Sequence, residues 1–140
     1  LIRANHQAID TQDALTIYGI SLRTFRRRMN TPTPDQPTPI NPTHGSRGHR
    51  QLWDAEEIRA HAEGRPLPPH TTEDHPQDLL DRTEIATLIN IHPDTFAKDP
   101  YAPPPDHTIY DIPHWYRHTI EHYRDNRPGK GHPRTPPPQP

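Results

Sequence analysis

A chain of 140 residues with 28% hydrophobic residues, 21 prolines and no valine carries too little apolar surface for one large core. A formal net charge of −2 excludes a generally basic nucleic-acid coat, and the lack of cysteine excludes disulfides and thiolate metal sites. No apolar run approaches the ~18 residues of a membrane span, so no membrane partner is expected.

The opening LIRANHQAID has neither a signal-peptide pattern nor an initiator Met, and residues 1–9 are read as a short leader. Asp10 then precedes a short apolar-periodic run and has an acid, Asp13, three residues on, which marks a helix start. The run reaches Gly19, a residue suited to the left-handed position just past a helix end. Ile20 reads as buried and Ser21 as the cap of a second helix. On that helix, at 100° per residue, Arg23, Arg26 and Arg27 fall within about 100° of one another. Leu22, Phe25 and Met29 fall within about 60° on another side, and Arg28 lies beside the basic face.

A proline-rich stretch follows. Thr38–Asn41 and Arg50–Trp53 read as the two strands of a β-hairpin, or wing, with Arg47, His49 and Arg50 at its basic tip; proline restricts the first strand to an edge. Asp54-Ala-Glu-Glu57 is a strong helix start, and Gly64 the expected stop. Residues 10–64 are thus predicted as one module, with 65–77 as a linker.

Residues 78–126 repeat the first part. DALTIYGISLRTF (13–25) aligns with EIATLINIHPDTF (84–96), with Thr16/Thr87, Ile20/Ile91, Thr24/Thr95 and Phe25/Phe96 identical. Asp81 with Glu84, Asn90 and His92-Pro93 repeat the cap, the turn and the second cap. LWDAEEI from Leu52 is aligned with IYDIPHW from Ile109, which leaves a short or missing wing in the second copy. Its second helix holds Lys98 but also Asp94 and Asp99, and Asp99-Pro100 should end it early, so weak DNA binding or none is expected there. His114, His118 and His122 recur every four residues on one predicted helix. They read as an outer edge rather than a metal site, because apolar residues fill the other side. Residues 127–140 are predicted to be a disordered, proline-rich tail. The predicted fold is mainly α: two tandem small helix-turn-helix modules, the first with a short β-hairpin wing.

Asp13–Phe25, the arginines after Ser21, the GSRGHRQLW wing and the DAEEI helix together resemble the winged helix-turn-helix domain of MerR-type regulators and phage excisionases, over about residues 9–64. The resemblance implies a recognition helix in the major groove and a wing on the backbone or in the adjacent minor groove. Double-stranded DNA is therefore the expected partner. The expected DNA contacts are Ser21, Arg23, Thr24, Arg26, Arg27, Arg28, Arg47, His49 and Arg50. Arg23 and Arg27 are the base-reading candidates, since arginine pairs bidentately with guanine. The role would be a transcriptional regulator, a repressor, or an excisionase-like architectural factor.

Self-association through the second module and a recombinase or other protein partner are further expectations, as is a cytoplasmic, nucleoid-associated location. A protein-interaction adaptor built on degenerate modules is the alternative. No phosphate loop, dinucleotide fingerprint or nucleophile elbow is present, so neither enzyme activity nor a cofactor or metal is expected.

Overall fold

The computed structural model of the chain describes residues 1–31, 33–41, 50–70 and 72–127. Contacts divide it into an N-terminal unit, Ile2–Glu73, and a C-terminal unit, Asp74–Pro140, to which Leu1 belongs.

In the N-terminal unit, β1 (Ala8–Asp10) leads directly into α1 (Thr11–Tyr18). The Asp10 side chain accepts from the Asp13 N–H at 2.9 Å and satisfies one of the orphan donors of the first turn. Gly19 ends α1 in the left-handed region at φ 69°, its N–H on the Leu15 carbonyl at 2.7 Å. Ser21 caps α2 (Leu22–Met29). After the proline-rich stretch, β2 (Leu52–Asp54) pairs antiparallel with β1, Ile9 opposite Trp53. Asp54 then caps α3 (Ala55–Ala62) through the N–H groups of Glu56 and Glu57. Ile9, Ala14, Phe25, Trp53, Ala55 and Ile58 form the core. Phe25 meets Trp53 edge-on, with ring centroids 5.3 Å apart.

The C-terminal unit follows the same order with a hairpin added. β3 (Leu79–Leu80), α4 (Arg82–Leu88) and α5 (Pro93–Lys98) precede β4 (His107–Ile109), β5 (Ile112–Tyr116) and α6 (Arg117–Asn126). β5 lies between β3 and β4, antiparallel to both. Asp81 and Glu84 form a complete capping box on α4, Asn90 takes the left-handed region at φ 58°, and His92 with Pro93 opens α5. Leu80, Ile85, Phe96, Trp115, Ile120 and Tyr123 are the core, with Phe96 edge-on to Trp115 at 5.1 Å.

The mainly α prediction is therefore wrong. Among the described residues 40% are helical and 15% strand, in six helices and two small antiparallel sheets, so the architecture is mixed α/β rather than two tandem helix-turn-helix modules. The cause is strand length: two- and three-residue strands are too short to leave an alternating pattern in the sequence. Four local readings change with it. Ala8 and Ile9, placed in a leader, form the strand opposite β2. Thr38–Asn41 is not a strand, since Pro39 has no N–H to give a ladder. The C-terminal unit has a hairpin where one was expected to be short or missing, closed by Tyr110 and Asp111 at φ 49° and 68°. Two positive φ values between paired strands are the mark of a two-residue primed turn. Finally, His114 belongs to β5 and only His118 and His122 to α6, so the three histidines share no helix.

The second alignment also moves. Trp53 corresponds to Trp115, not to Tyr110, because both tryptophans sit in the strand opposite Ile9 or Leu80. A matching backbone bond anchors each final helix: Ala55 N–H to the Gln7 carbonyl at 2.9 Å, and Arg117 N–H to the Asp78 carbonyl at 2.7 Å.

Candidate nucleic-acid interface

The helix α2 is placed by its ends and its apolar side. Ser21 Oγ accepts the Thr24 N–H at 3.2 Å and donates to Thr24 Oγ1 at 3.1 Å, so both hydroxyls expected at DNA are engaged in the cap. Phe25 is buried between Trp53 and Tyr18, and Leu22 and Met29 are half-buried. With those three positions turned inward, Arg23, Arg26, Arg27 and Arg28 are all exposed. No carboxylate among the described residues pairs with any of the four. Four cations on eight residues repel one another unless an anion lies across them.

Arg28 stands apart from the other three, as its angle on the helix predicts. Its charge reaches Tyr18 and His61, whose side chains meet at 2.6 Å between Tyr18 Oη and His61 Nδ1. Burial pushes the Tyr18 phenol up to about 12, with Arg28 opposing it. Burial, and then Arg28, hold His61 below the usual imidazole value. Both shifts favour the uncharged forms, a protonated phenol beside a neutral imidazole.

Of the wing residues, Arg47 and His49 lie outside the described residues. Arg50 is exposed and its Nη1 sits on Asp10 Oδ2 at 3.2 Å, while the other Asp10 oxygen caps α1. The head of Arg50 is thus oriented by the same carboxylate that starts α1. Asn41 was not singled out from the sequence. It is buried, and its Nδ2 donates to the Arg50 carbonyl at 2.8 Å while its Oδ1 accepts the Leu52 N–H at 2.7 Å. Ile40 N–H reaches the Leu52 carbonyl at 2.9 Å. The available signal was an asparagine between prolines, in a segment whose backbone cannot supply a regular ladder.

In the C-terminal unit, Asp94, Ala97, Lys98 and Asp99 occupy the places of Arg23, Arg26, Arg27 and Arg28. Asp99 is engaged by the Tyr101 N–H at 2.8 Å, by the Tyr123 hydroxyl and by Arg127 at 3.6 Å. The frame persists there without the basic face. Among the described residues, no group of three or more His, Asp or Glu side chains is placed to hold a metal ion. No helix among them is long and apolar enough to cross a membrane. No family profile, curated protein or solved structure matches the chain.

Proposed function

We propose that the N-terminal unit binds double-stranded DNA with α2 in the major groove. The observation that carries this reading is the set of four exposed arginines on α2, none paired with a carboxylate among the described residues, on a helix anchored from behind by Phe25. Arg23 and Arg27 read guanine edges, and Arg26, Arg28 and Arg50 position the chain on phosphates, with Arg47 and His49 assigned the same task from the sequence. Resemblance to MerR-type regulators and excisionases over about residues 9–64, most specific in the Gly19-to-Arg26 turn and the Arg50-to-Asp54 junction, supports the same placement. The biological role is that of a transcriptional regulator or an architectural factor that bends DNA beside a recombinase. The C-terminal unit, with Asp94 and Asp99 where arginines stand in the first, serves protein contact rather than DNA.

The test is a titration of the full chain with duplex DNA at several salt concentrations, beside Arg23→Ala/Arg27→Ala. Wild-type affinity should fall steeply with salt, as released counterions require, and the double variant should lose at least about thirtyfold, at ~1–3 kcal/mol for each bidentate pair. No binding to any duplex at low salt would refute the proposal. A footprint separates the two roles: one site over a promoter marks the regulator, several phased sites with a bend mark the architectural factor.

A further inference from the structure

β2 has a partner on each side, but the two sides are built differently. On one side β1 supplies an ordinary antiparallel ladder, with Asp10 opposite Leu52. On the other, Ile40 and Asn41 face it without forming a strand. Ile40 gives one backbone bond, to the Leu52 carbonyl. The Asn41 side chain then supplies what a neighbouring peptide would: a donor for the Arg50 carbonyl and an acceptor for the Leu52 N–H. A primary amide has the same donor and acceptor pair as a backbone peptide, and here it stands in for one.

The arrangement converges on Arg50. Its backbone carbonyl is held by Asn41, and its side chain by Asp10. Asp10 also caps α1, and α1 passes through Gly19 into α2. A chain of direct contacts therefore fixes Arg50 relative to the arginines of α2. The Arg50 side chain remains 49% exposed, so it is oriented without being enclosed.

We propose that Asn41 is a positioning residue for DNA binding: it acts through Arg50, setting the place from which Arg50 meets a phosphate. This rests on the DNA reading of α2. An Asn41 role confined to stability would weaken folding and leave the ionic component of binding unchanged. A role through Arg50 removes the same phosphate contact that Arg50→Ala removes.

The experiment is a salt series of duplex binding by the full chain, comparing wild type, Asn41→Ala, Arg50→Ala, the double variant and Arg23→Ala/Arg27→Ala. Asn41→Ala and Arg50→Ala should each reduce the slope of log K against log salt by about 0.9, the share of one phosphate. The double variant should bind no more weakly than Arg50→Ala alone, because the two residues make one contact. If Asn41→Ala fails to fold, Asn41→Asp replaces it; that variant keeps the acceptor for Leu52 and loses the donor to Arg50, and the same slope change is expected.

Additive losses, or an unchanged slope for both Asn41 variants, would overturn the positioning role while the Arg23/Arg27 arm still supports DNA binding. Failure of wild type to bind any duplex would overturn both proposals. Loss of binding in the Arg23/Arg27 arm together with the expected Asn41 behaviour would support both.

Discussion

Tyr18 and His61 meet in surroundings that favour the neutral imidazole. Burial and then Arg28 disfavour the charged ring, and Asp35, Arg65 and His70 line the same cavity of about 620 Å³ as His61. The folded His61 value lies below the ordinary one, so the neutral form is favoured on folding. That contribution is present above the unfolded value, about 6.5, and is lost as pH falls below it towards the folded value. The melting temperature of wild type should therefore drop more between pH 7.5 and 5 than that of His61→Phe. Equal drops would remove His61 from the acid response. In the C-terminal unit, fully buried Asp78 pairs with Arg117 at 3.2 Å and accepts the His75 N–H at 2.9 Å. Asp78→Ala removes this buried partner while Arg117 keeps Asp74 at 3.2 Å, and should cost about 1.5–3 kcal/mol by urea denaturation. Neither contact was legible beforehand. The partners of Tyr18 and Asp78 lie 43 and 39 residues away in the chain.

At the scale of the element, the helices were readable because their ends are written in single residues. Asp10, Ser21, Asp54 and Asp81 all cap as their positions predict, and Gly19, Gly64 and Asn90 all take positive φ. The strands were less so: Arg50–Trp53 anticipated β2 in part, but none of the described strands exceeds five residues, and β1, β2 and β3 pair with partners distant in sequence. The Trp53–Trp115 equivalence was hidden for a related reason: β4 and its turn intervene in the second unit. At Gly19 nothing lies within 4 Å of an added Cβ, so a substitution meets open space and only the backbone conformation resists it. Gly19→Ala should then cost about 1–2 kcal/mol without cavity or clash, and DNA affinity should fall with it as the α1–α2 angle relaxes. An unchanged stability would show that the turn tolerates a non-left-handed path. At the hairpin, Tyr110 and Asp111 hold conformations that Asn and Gly adopt at lower cost. Tyr110→Asn/Asp111→Gly should raise stability by about 0.5–1 kcal/mol, read as a higher urea midpoint with unchanged slope.

Across the whole molecule, two units share an order of elements and differ in charge. Residues 1–64 carry eight basic and seven acidic side chains, and residues 65–140 carry eight and eleven. The difference is concentrated where α2 and α5 correspond, so the basic face belongs to one frame and is absent from the other. That contrast was legible in the sequence, because charge on a helix surface needs no tertiary partner to be counted. The position of Arg50 was not, because it depends on Asn41 and Asp10 together. Lys98→Ala in the full chain should accordingly change duplex affinity by less than about twofold, against the large loss expected for Arg23→Ala/Arg27→Ala. The most direct measurement is guanine N7 methylation interference on a duplex enriched from a random pool by the wild-type chain. N7 lies in the major groove and is one of the two acceptors that an arginine grips on guanine. Methylation at guanines within the site should block binding by wild type, and the interference at those guanines should disappear in Arg23→Ala/Arg27→Ala at concentrations that restore binding. Binding indifferent to N7 methylation would contradict the placement of α2 in the major groove.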